Sequence, residues 1–327
     1  MINANKPFKE DKIMKSIVFI IPYFGKFPNY FKLWLESCRY NSTIDFLIFT
    51  NDKTYFEFPA NVKVNYISFD DLKKLIQSKY DFEIVLPKAY KLCDFKPAYG
   101  EIFQDYIKEY DYWGYCDIDL IWGDIRKFIT DDILTKNKRI LTHGHCTVIE
   151  NSKAVNAYYR TLPTFNYVTF KRAFTTPMSK FFDEWNITEG GGTSYIFKDN
   201  NIPMYDETTM FDINYTKGNF KSGRRNDNGK KQYYLFDNGK LYQVSSYGKV
   251  EGMYAHFQKR KLIIDKDLNY SNYFLISPYY VTSNRKMFKP YWFRKRKFEI
   301  NFQIYRIKSH IVRERMRKKL RKVETND

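Results

Sequence analysis

The chain has 327 residues, of which 43% are hydrophobic and 19% aromatic, and its net charge is +18. This composition excludes an intrinsically disordered protein, because it supplies enough apolar side chains for a substantial core. The length favours one α/β domain of about 250 residues with an appendage. The four cysteines are widely scattered, which argues against a disulfide framework or zinc site and fits buried thiols in a reducing cytoplasm.

The first quarter of the chain alternates predicted strands with predicted helices. Continuous apolar, β-branched runs predict strands buried on both faces at residues 16–21, 45–50 and 62–67. Apolar residues at helical spacing predict helices at residues 29–40 and 70–78. This βαβαβ order favours a parallel, doubly wound sheet whose ligands bind at the carboxyl ends of its strands.

The middle of the chain continues this mixture of strands and helices. We predict an aromatic-rich helix over residues 97–110, strands over 112–122 and 140–149, a helix over 155–160, a helix over 193–197 that opens after Glu189 and the glycines 190–192, and a loop or hairpin insertion over 214–249. The strand over residues 112–122 is unusual because it carries two carboxylates near its end.

Asp117 and Asp119 interrupt this apolar strand. Residues i and i+2 of a strand share a face, so we expect the two carboxylates within about 7 Å of each other. Burying like charges is costly unless a cation compensates them, and hard oxygen ligands suit Mg²⁺ or Mn²⁺. A solvent-facing turn is the plain alternative. The flanks, which include Trp113 and Trp122, favour a metal ion that bridges a diphosphate.

His256 begins a short segment rich in cations. It is followed by Lys259, Arg260 and Lys261, so an imidazole metal ligand and phosphate-binding cations lie close together in the sequence. A surface histidine on a basic strand is the alternative. The segment therefore predicts a second contribution to a metal and diphosphate site.

Two glycine-containing segments are weaker candidates for ligand contact. His143, Gly144 and His145 end or bend a strand, where glycine permits close approach of a ligand to the backbone. The glycines at 190–192 stand at a predicted helix start. A plain turn is the more common explanation of either segment, and neither matches a P-loop or a Rossmann glycine motif.

Four stretches resemble known enzymes: residues 21–30 (IPYFGKFPNY), 48–52 (IFTND), 91–100 (KLCDFKPAYG) and 114–124 (GYCDIDLIWGD). With the aspartate pair and the late His-plus-Lys segment, the chain resembles the GT-A glycosyltransferases. It is most similar to the retaining family 8 and family 32 enzymes and to an uncharacterised bacterial family from polysaccharide biosynthesis clusters. The resemblance covers the first half of the chain well.

The resemblance implies a GT-A, Rossmann-like α/β fold: a mostly parallel central sheet flanked by helices, with a basic C-terminal helical tail. The implied activity is transfer of a hexose from a nucleotide diphosphate sugar, with a UDP-sugar as the expected donor. The implied acceptor is a surface or capsular polysaccharide or a lipid-linked glycan. The reaction would be metal-assisted, with Mn²⁺ or Mg²⁺ as the cofactor.

Roles for single residues also follow from the resemblance. Asp117 and Asp119 would hold the metal ion on the diphosphate, with His256 completing the protein ligands. On the donor side, the resemblance places Pro22, Tyr23 and Asp52 near the base and ribose, Lys96 near the donor, His143, Gly144 and His145 along the sugar pocket, and Lys259 or Lys261 on the diphosphate.

For contact with the reacting sugar, Glu189 is the first candidate, ahead of Asp183 and Glu184. Glu189 opens a helix as the acceptor-side acidic residue of family 8 does. The chain departs from that family here, because Glu189 replaces the expected aspartate and Gly190 replaces the usual amide. The stereochemical outcome of transfer does not follow from this segment.

We divide the chain into three parts: a flexible extension at residues 1–15, which lack apolar periodicity, the GT-A glycosyltransferase domain that the resemblance implies at 16–284, and a basic amphipathic tail at 285–327. The segment from Arg285 to Lys322 contains 16 Lys or Arg residues and two Glu residues, so it carries +14 of the total charge of +18. Apolar residues are interleaved with these cations. The pattern predicts a cytoplasmic protein that lies peripherally on the anionic inner face of the cell membrane.

Deletion of the chain from Arg285 onward tests the membrane prediction. We expect the truncated protein to lose binding to anionic liposomes, because the tail carries most of the net charge. Hydrolysis of a soluble donor should persist. Liposome binding retained after the deletion would leave a solvated basic helix as the explanation of the tail.

Two other functions compete with glycosyl transfer. A polyanion- or nucleic-acid-binding protein without catalysis would also use aromatic and lysine-rich surfaces. It predicts binding that depends steeply on salt and needs no divalent ion, and the uneven charge argues against it. A metal-dependent phosphodiesterase or nuclease would hydrolyse its substrate and would usually need more metal ligands than one aspartate pair and one histidine.

Overall fold

The structure is a computed structural model that describes residues 14–161, 168–185, 192–207, 209–213, 232–258, 260–270, 272–278, 280–284, 304 and 307. Residues 1–13 of the extension predicted at 1–15 lie outside the described residues. So do Glu189, Lys259 and the basic tail apart from residues 304 and 307.

Short strands and helices alternate along the described chain. The strands are β1 (Ile17–Pro22), β2 (Ile44–Thr50), β3 (Val62–Tyr66), β4 (Tyr112–Cys116), β5 (Leu120–Trp122), β6 (Arg139–His143), β7 (Cys146–Glu150), β8 (Met204–Tyr205), β9 (Phe211–Asp212), β10 (Tyr233–Asp237), β11 (Lys240–Ser245), β12 (Gly248–Gly252), β13 (Tyr254–His256), β14 (Ile263–Ile264), β15 (Tyr273–Ile276) and β16 (Tyr280–Thr282). The α-helices are α1 (Phe31–Arg39), α2 (Phe69–Gln77), α3 (Tyr99–Ile102), α4 (Gln104–Ile107), α5 (Ile125–Phe128), α6 (Asp131–Lys136), α7 (Lys153–Asn156), α8 (Phe170–Thr175) and α9 (Thr193–Asp199), and 3-10 helices span Ala89–Ala98 and Tyr158–Arg160.

A seven-stranded sheet with the order β3-β2-β1-β4-β7-β6-β8 forms the centre of the first compact unit. Strands β3, β2, β1 and β4 are parallel, β7 is antiparallel to both β4 and β6, and β8 is parallel to β6. The predicted α/β class, with a mostly parallel, Rossmann-like central sheet flanked by helices, is confirmed.

Both faces of this sheet are covered. Alternate residues of β1 point to opposite faces, so Val18 and Ile20 join one hydrophobic cluster while Ile17, Phe19 and Ile21 join the other. Helix α2 contributes Leu72 and Ile76 to the first cluster, and helix α1 contributes Phe31, Trp34, Leu35 and Cys38 to the second. Burial on both faces explains why β1 is a continuous apolar run rather than an alternating one.

The predicted helix over residues 97–110 and the predicted strand over 140–149 differ in detail from the structure. Instead of one helix over residues 97–110, the 3-10 helix Ala89–Ala98 contains Pro97 and is followed by the four-residue helices α3 and α4. The break between α3 and α4 falls at Phe103, whose φ of −105° and ψ of 21° lie outside the helical range. The single strand predicted over residues 140–149 is the hairpin of β6 and β7, because Gly144 and His145 form a turn.

The second compact unit contains the remaining described residues, beginning at Asp212. A second sheet has the order β12-β11-β10-β15-β16-β14, with β10 and β15 antiparallel and β14 and β16 parallel. Asn238 and Gly239, both with positive φ, join the neighbouring strands β10 and β11, a turn that an Asn-Gly pair favours. The described end of the predicted insertion is therefore a hairpin. No helix in the described part of the chain is long and apolar enough to span a bilayer.

Candidate active site

The ends of four strands meet along one edge of the large sheet. Strands β1, β2 and β4 are parallel, and β6 runs in their direction because β7 is antiparallel to both β4 and β6. The segments that follow Pro22, Thr50, Cys116 and His143 therefore share this edge. In open α/β sheets, ligands bind at the carboxyl ends of the strands. We therefore expect a ligand-binding site at this edge.

Asp117 and Asp119 lie in a bend at this edge. The bend separates β4 from β5, and β5 leaves the large sheet to pair antiparallel with β13. The prediction that the pair lies within one strand is therefore wrong. Ile118 between them is buried, while the carboxyl side chains remain 37% and 15% exposed. The bend presents both carboxylates because the apolar residue between them packs into the core.

His256 joins the two carboxylates. It ends β13, where its register partner is Leu120, the residue after Asp119. Its Nε2 atom lies 3.4 Å from Asp119 Oδ1 and 3.9 Å from Asp117 Oδ2. One potential ligand atom from each of the three residues lies within 4.8 Å of the others. Two carboxylate oxygens and one imidazole nitrogen are donors that suit Mn²⁺ or Mg²⁺.

Lys96 holds the other side of the Asp117 carboxylate. Its ammonium group donates to Asp117 Oδ1 at 2.7 Å and to the Gly144 carbonyl at 2.6 Å, and it lies 3.9 Å from Asp183 Oδ2. Burial opposes the charged form, but the carboxylates of Asp117 and Asp183 raise the pKa of Lys96 well above its ordinary value. Lys96 is therefore a fixed cation that binds Oδ1 of Asp117. The other oxygen, Oδ2, faces His256.

The hairpin turn of β6 and β7 closes one side of this group. The Asp117 N–H donates to the His145 carbonyl at 2.9 Å. The ring of His145 stacks on His256, with centroids 4.1 Å apart, and on His143 at 5.1 Å. A Cβ atom at Gly144 would lie 2.7 Å from Asp183 Oδ2, so only glycine fits there without displacing that carboxylate.

Asp183 and Glu184 lie against the same turn. The Asp183 carbonyl accepts hydrogen bonds from the Tyr115 hydroxyl and from Arg139, both at 3.0 Å, and Glu184 Oε2 accepts from the Gly144 N–H at 3.4 Å. The Asp183 side chain is buried, and this burial raises its pKa to about 8; Glu184 and Asp94 add to the rise and Lys96 opposes it. Asp183 therefore holds a proton near neutral pH.

A buried ion pair fixes the segment that leads to Asp183. Lys91 Nζ donates to Asp94 Oδ2 at 2.5 Å and to the carbonyls of Ala173 and Met178, both at 2.7 Å. Asp94 also accepts from the backbone N–H groups of Lys180 and Phe182. The 3-10 helix that carries Lys96 and the segment that carries Asp183 are therefore held together by one polar network.

Tyr23 and Asp52 occupy the segments after β1 and β2. The Asp52 carboxylate accepts from Lys26 Nζ at 2.9 Å, from the Phe27 N–H at 3.0 Å and from the Thr54 hydroxyl at 2.6 Å. These bonds hold the pKa of Asp52 well below its usual range although burial opposes them. Burial, with the charges of Asp119 and Asp52, raises the pKa of Tyr23, so its phenol lies within electrostatic reach of Asp119.

The structure thus brings most of the sequence-predicted residues to one edge of the sheet. The grouped residues are Pro22, Tyr23, Asp52, Lys96, Asp117, Asp119, His143, Gly144, His145, Asp183, Glu184 and His256. Lys261 belongs to the second compact unit, where it is exposed. Glu189 and Lys259 lie outside the described residues.

The sequence of the chain matches one known protein family. A family model described as "Family of unknown function (DUF6625)" matches residues 19–285. The chain belongs to this family. No curated protein matches the sequence significantly. The match begins within β1 and includes every residue of the candidate site.

Several solved structures are similar to this DUF6625 chain. Mouse xyloside xylosyltransferase 1 is 8% identical, with a TM-score of 0.34, and the similarity covers 61% of this chain and 88% of that one. The galactosyltransferase LgtC is 11% identical, with a TM-score of 0.31 and coverage of 61% and 75%. The glycosyltransferase GlyE of Streptococcus pneumoniae TIGR4 is 15% identical, with a TM-score of 0.30 and coverage of 62% and 47%. At TM-scores below 0.5, these similarities do not bear on what this chain does.

Two features of this DUF6625 chain were not predicted from the sequence. The first is the buried pair of Lys91 and Asp94; two opposite charges at i and i+3 among apolar neighbours were the available signal. The second is Tyr30, which is buried; this burial, with the charges of Asp119, Tyr23 and Asp117, raises its pKa. A tyrosine at helical spacing gives no sign of such a position, because it is also an ordinary core residue.

Proposed function

We propose that this chain is a metal-dependent glycosyltransferase that moves a hexose from a nucleotide diphosphate sugar to a hydroxyl of a glycan. The observation that carries the proposal is the group of Asp117, Asp119 and His256, whose ligand atoms lie within 4.8 Å at the ligand-binding edge of a Rossmann-like sheet. Carboxylates without a metal ion would repel phosphate groups. A carboxylate-rich site at this edge therefore fits the binding of a diphosphate through a metal ion better than the binding of a polyanion without one.

Metal binding would supply a cation that neutralises the charge developing on the diphosphate as it leaves. The chain's own residues fix where this happens. Lys96 binds Oδ1 of Asp117, so Oδ2 is the oxygen that faces His256. Because Lys96 also binds the Gly144 carbonyl, it ties the carboxylate to the hairpin turn. The ligand set is therefore oriented before any donor arrives, which is the arrangement that stabilises transition-state charge most effectively.

The nucleoside end of the donor would lie near Pro22 and Tyr23. Tyr23 stacks on Phe27 with centroids 5.2 Å apart, and Phe27 stacks on Phe31 at 4.0 Å. This column supports Tyr23 from behind and leaves it half-buried. Asp52 would act by holding the loop that carries Phe27, since its oxygens accept hydrogen bonds from that loop. A UDP-sugar is the donor we propose to test first.

The sugar end of the donor would face the hairpin turn. His143, Gly144 and His145 would line it, with Asp183 and Glu184 on the other side of Gly144. The proton on Asp183 makes its carboxyl group a hydrogen-bond donor as well as an acceptor. Glu184 is less buried than Asp183 and is the described carboxylate we propose for contact with the reacting sugar. Glu189 stays a candidate that lies outside the described residues.

Donor hydrolysis tests the proposal without an acceptor. The protein would be incubated with a panel of nucleotide diphosphate sugars, with Mn²⁺, with Mg²⁺ and with EDTA, and the released nucleoside diphosphate measured. We expect release from sugars of one base, and only with a divalent ion. No release from any sugar, together with salt-sensitive nucleic-acid binding that ignores metal, would support the polyanion-binding alternative that the basic tail favours.

The buried Asp183 predicts a pH dependence of stability. Its pKa is raised from 3.8 to about 8 in the folded protein, so between these values the folded state binds more protons than the unfolded state and its stability falls as pH rises. Asp183→Asn removes this titration. We expect the melting temperature of the variant minus that of the wild type, both measured without metal, to increase by a few degrees from pH 5 to pH 8. A difference that stays constant with pH would contradict the buried, protonated state.

The membrane role also stays a proposal. The tail from residue 285 would hold the enzyme on the anionic inner face of the cell membrane, next to a surface-polysaccharide or lipid-linked acceptor. Its support is the concentration of positive charge in this segment. The liposome experiment with the truncated chain, described above, is its test.

A further inference from the structure

Three large apolar side chains stand exposed on two segments that Lys91 and Asp94 join by hydrogen bonds, residues 90–94 and 178–182. Tyr90 is 52% exposed, Met178 is 40% exposed and Phe181 is 49% exposed. We call these three residues, two aromatic side chains and a methionine, the aromatic rim. Phe182, the neighbour of Phe181, is fully buried, so the segment has an apolar anchor of its own. The exposure of Phe181 is therefore not needed to bury the segment, and exposed apolar groups that cluster mark interaction sites.

The polar network of Lys91 and Asp94 holds the aromatic rim in place. Lys91 follows Tyr90 and donates to the Met178 carbonyl at 2.7 Å. Asp94 accepts from the N–H groups on both sides of Phe181, those of Lys180 at 2.8 Å and Phe182 at 3.1 Å. These bonds hold Phe181 at a φ of 51°, a left-handed conformation that a bulky residue avoids. An exposed ring kept in a strained backbone by its surroundings points to a function.

The aromatic rim borders the candidate active site. Phe181 precedes Asp183 by two residues, and the Asp183 carboxylate lies 3.9 Å from Lys96 Nζ. Tyr90 lies on the same 3-10 helix as Lys96. Burial raises the pKa of Tyr90 to about 12, and the charges of Cys93, Asp117 and Asp183 add to the rise. The charges of Asp117 and Asp183 therefore act on the phenol of Tyr90, while part of the side chain faces solvent.

The chemistry of the aromatic rim fits one kind of ligand. Its three side chains carry no charge, and an aromatic face packs well on an apolar surface. A pyranose ring offers such a surface on the C–H groups of one face, and its hydroxyls can donate to the nearby carboxylates of Asp183 and Glu184. A lipid chain would need a continuous apolar groove, whereas the aromatic rim is bordered by Lys96, Asp183 and Lys180.

We propose that Tyr90 and Phe181 form a platform that binds an uncharged pyranose ring of the acceptor glycan, next to the carboxylates of the transfer site. This inference rests on the proposed function, because it assigns the acceptor side of the same site. The platform would hold the acceptor hydroxyl in position and would take no part in binding the nucleotide diphosphate.

The variant Phe181→Gly tests the platform without disturbing folding. Glycine adopts a φ of 51° without strain, so the variant should melt no lower than the wild type. We expect the KM for neutral methyl pyranosides to rise about tenfold or more, the scale of one lost aromatic contact, while donor hydrolysis and nucleotide binding stay unchanged. Phe181→Tyr should restore the wild-type KM. Tyr66→Ala is the matched control, because Tyr66 is also 52% exposed.

The outcomes separate this inference from the proposed function. If the wild type hydrolyses donor but transfers to no neutral pyranoside, the platform is overturned and the transferase is not. An unchanged KM in Phe181→Gly, or an equal rise in Tyr66→Ala, also overturns the platform. Loss of donor hydrolysis in a folded Phe181→Gly would show that the ring serves the donor instead. Absence of donor hydrolysis in the wild type is the result that rejects the proposed function itself.

Discussion

Asp119→Ala is expected to lower the rate of sugar transfer by about 10²- to 10³-fold, the loss that follows removal of one group that stabilises transition-state charge. Asp119 Oδ1 lies 3.4 Å from His256 Nε2, nearer than Asp117 Oδ2 at 3.9 Å. Without it, Asp117 and His256 alone remain, and one oxygen of Asp117 is already bound to Lys96. The rate would be measured at saturating Mn²⁺ with the best donor from the hydrolysis panel.

The control for this change is Asp132→Asn. Asp132 is an exposed carboxylate whose ion pair with Lys136 lies on the surface of α6, so its loss should leave transfer unchanged. The variant Asp119→Asn keeps the shape of the side chain and removes its charge, and it should behave as Asp119→Ala does. Full transfer activity in Asp119→Ala, with the control also active, would show that the reaction does not use this carboxylate.

Asp94→Ala is expected to destabilise the folded protein by about 3–5 kcal/mol, the cost of breaking a buried ion pair from one side. Asp94 and Lys91 are both buried. The variant leaves the Lys91 ammonium without a carboxylate and removes the acceptor of the Lys180 and Phe182 N–H groups. The free energy of unfolding in urea would measure the loss. Donor hydrolysis should also fall, since the same network positions Asp183.

Two comparisons interpret the Asp94 result. Asp132→Ala removes an exposed i,i+4 pair and should cost only about 0.3–0.5 kcal/mol. The double change Lys91→Met with Asp94→Leu should cost less than Asp94→Ala alone, because it leaves no unpaired buried charge. If Asp94→Ala costs no more than Asp132→Ala, the network does not hold the two segments together.

The sheet could be predicted because its signals are local. Strands β1 and β2 are buried on both faces and are therefore continuous apolar runs. The bend at Asp117 could not be predicted, because β5 takes its partner, β13, from a distant part of the chain. The turn at Gly144 was read as the end or bend of a strand, but not as the centre of a hairpin. Local pattern shows where a strand is interrupted, but not which sheet receives the next one.

Only the residues of the site whose chemistry is distinctive in the sequence could be predicted. Two carboxylates in an apolar setting and a histidine near cations identified Asp117, Asp119 and His256. The contact of Lys96 with Asp117 was not expected, because Lys96 was assigned to the donor. The loop-holding role of Asp52 was also missed. Both depend on hydrogen bonds between segments that are far apart in the chain, and no single-sequence pattern records such a pairing.

Isothermal titration of UDP and other nucleoside diphosphates into the wild-type protein, with Mn²⁺ and with EDTA, decides whether the donor site exists. We expect one nucleoside diphosphate to bind with Mn²⁺ and not with EDTA, and the binding to survive 0.5 M salt, taken as roughly enough to screen surface charge. Binding that ignores Mn²⁺ and disappears with salt, or no binding of any nucleoside diphosphate, would contradict a metal-dependent donor site at Asp117, Asp119 and His256.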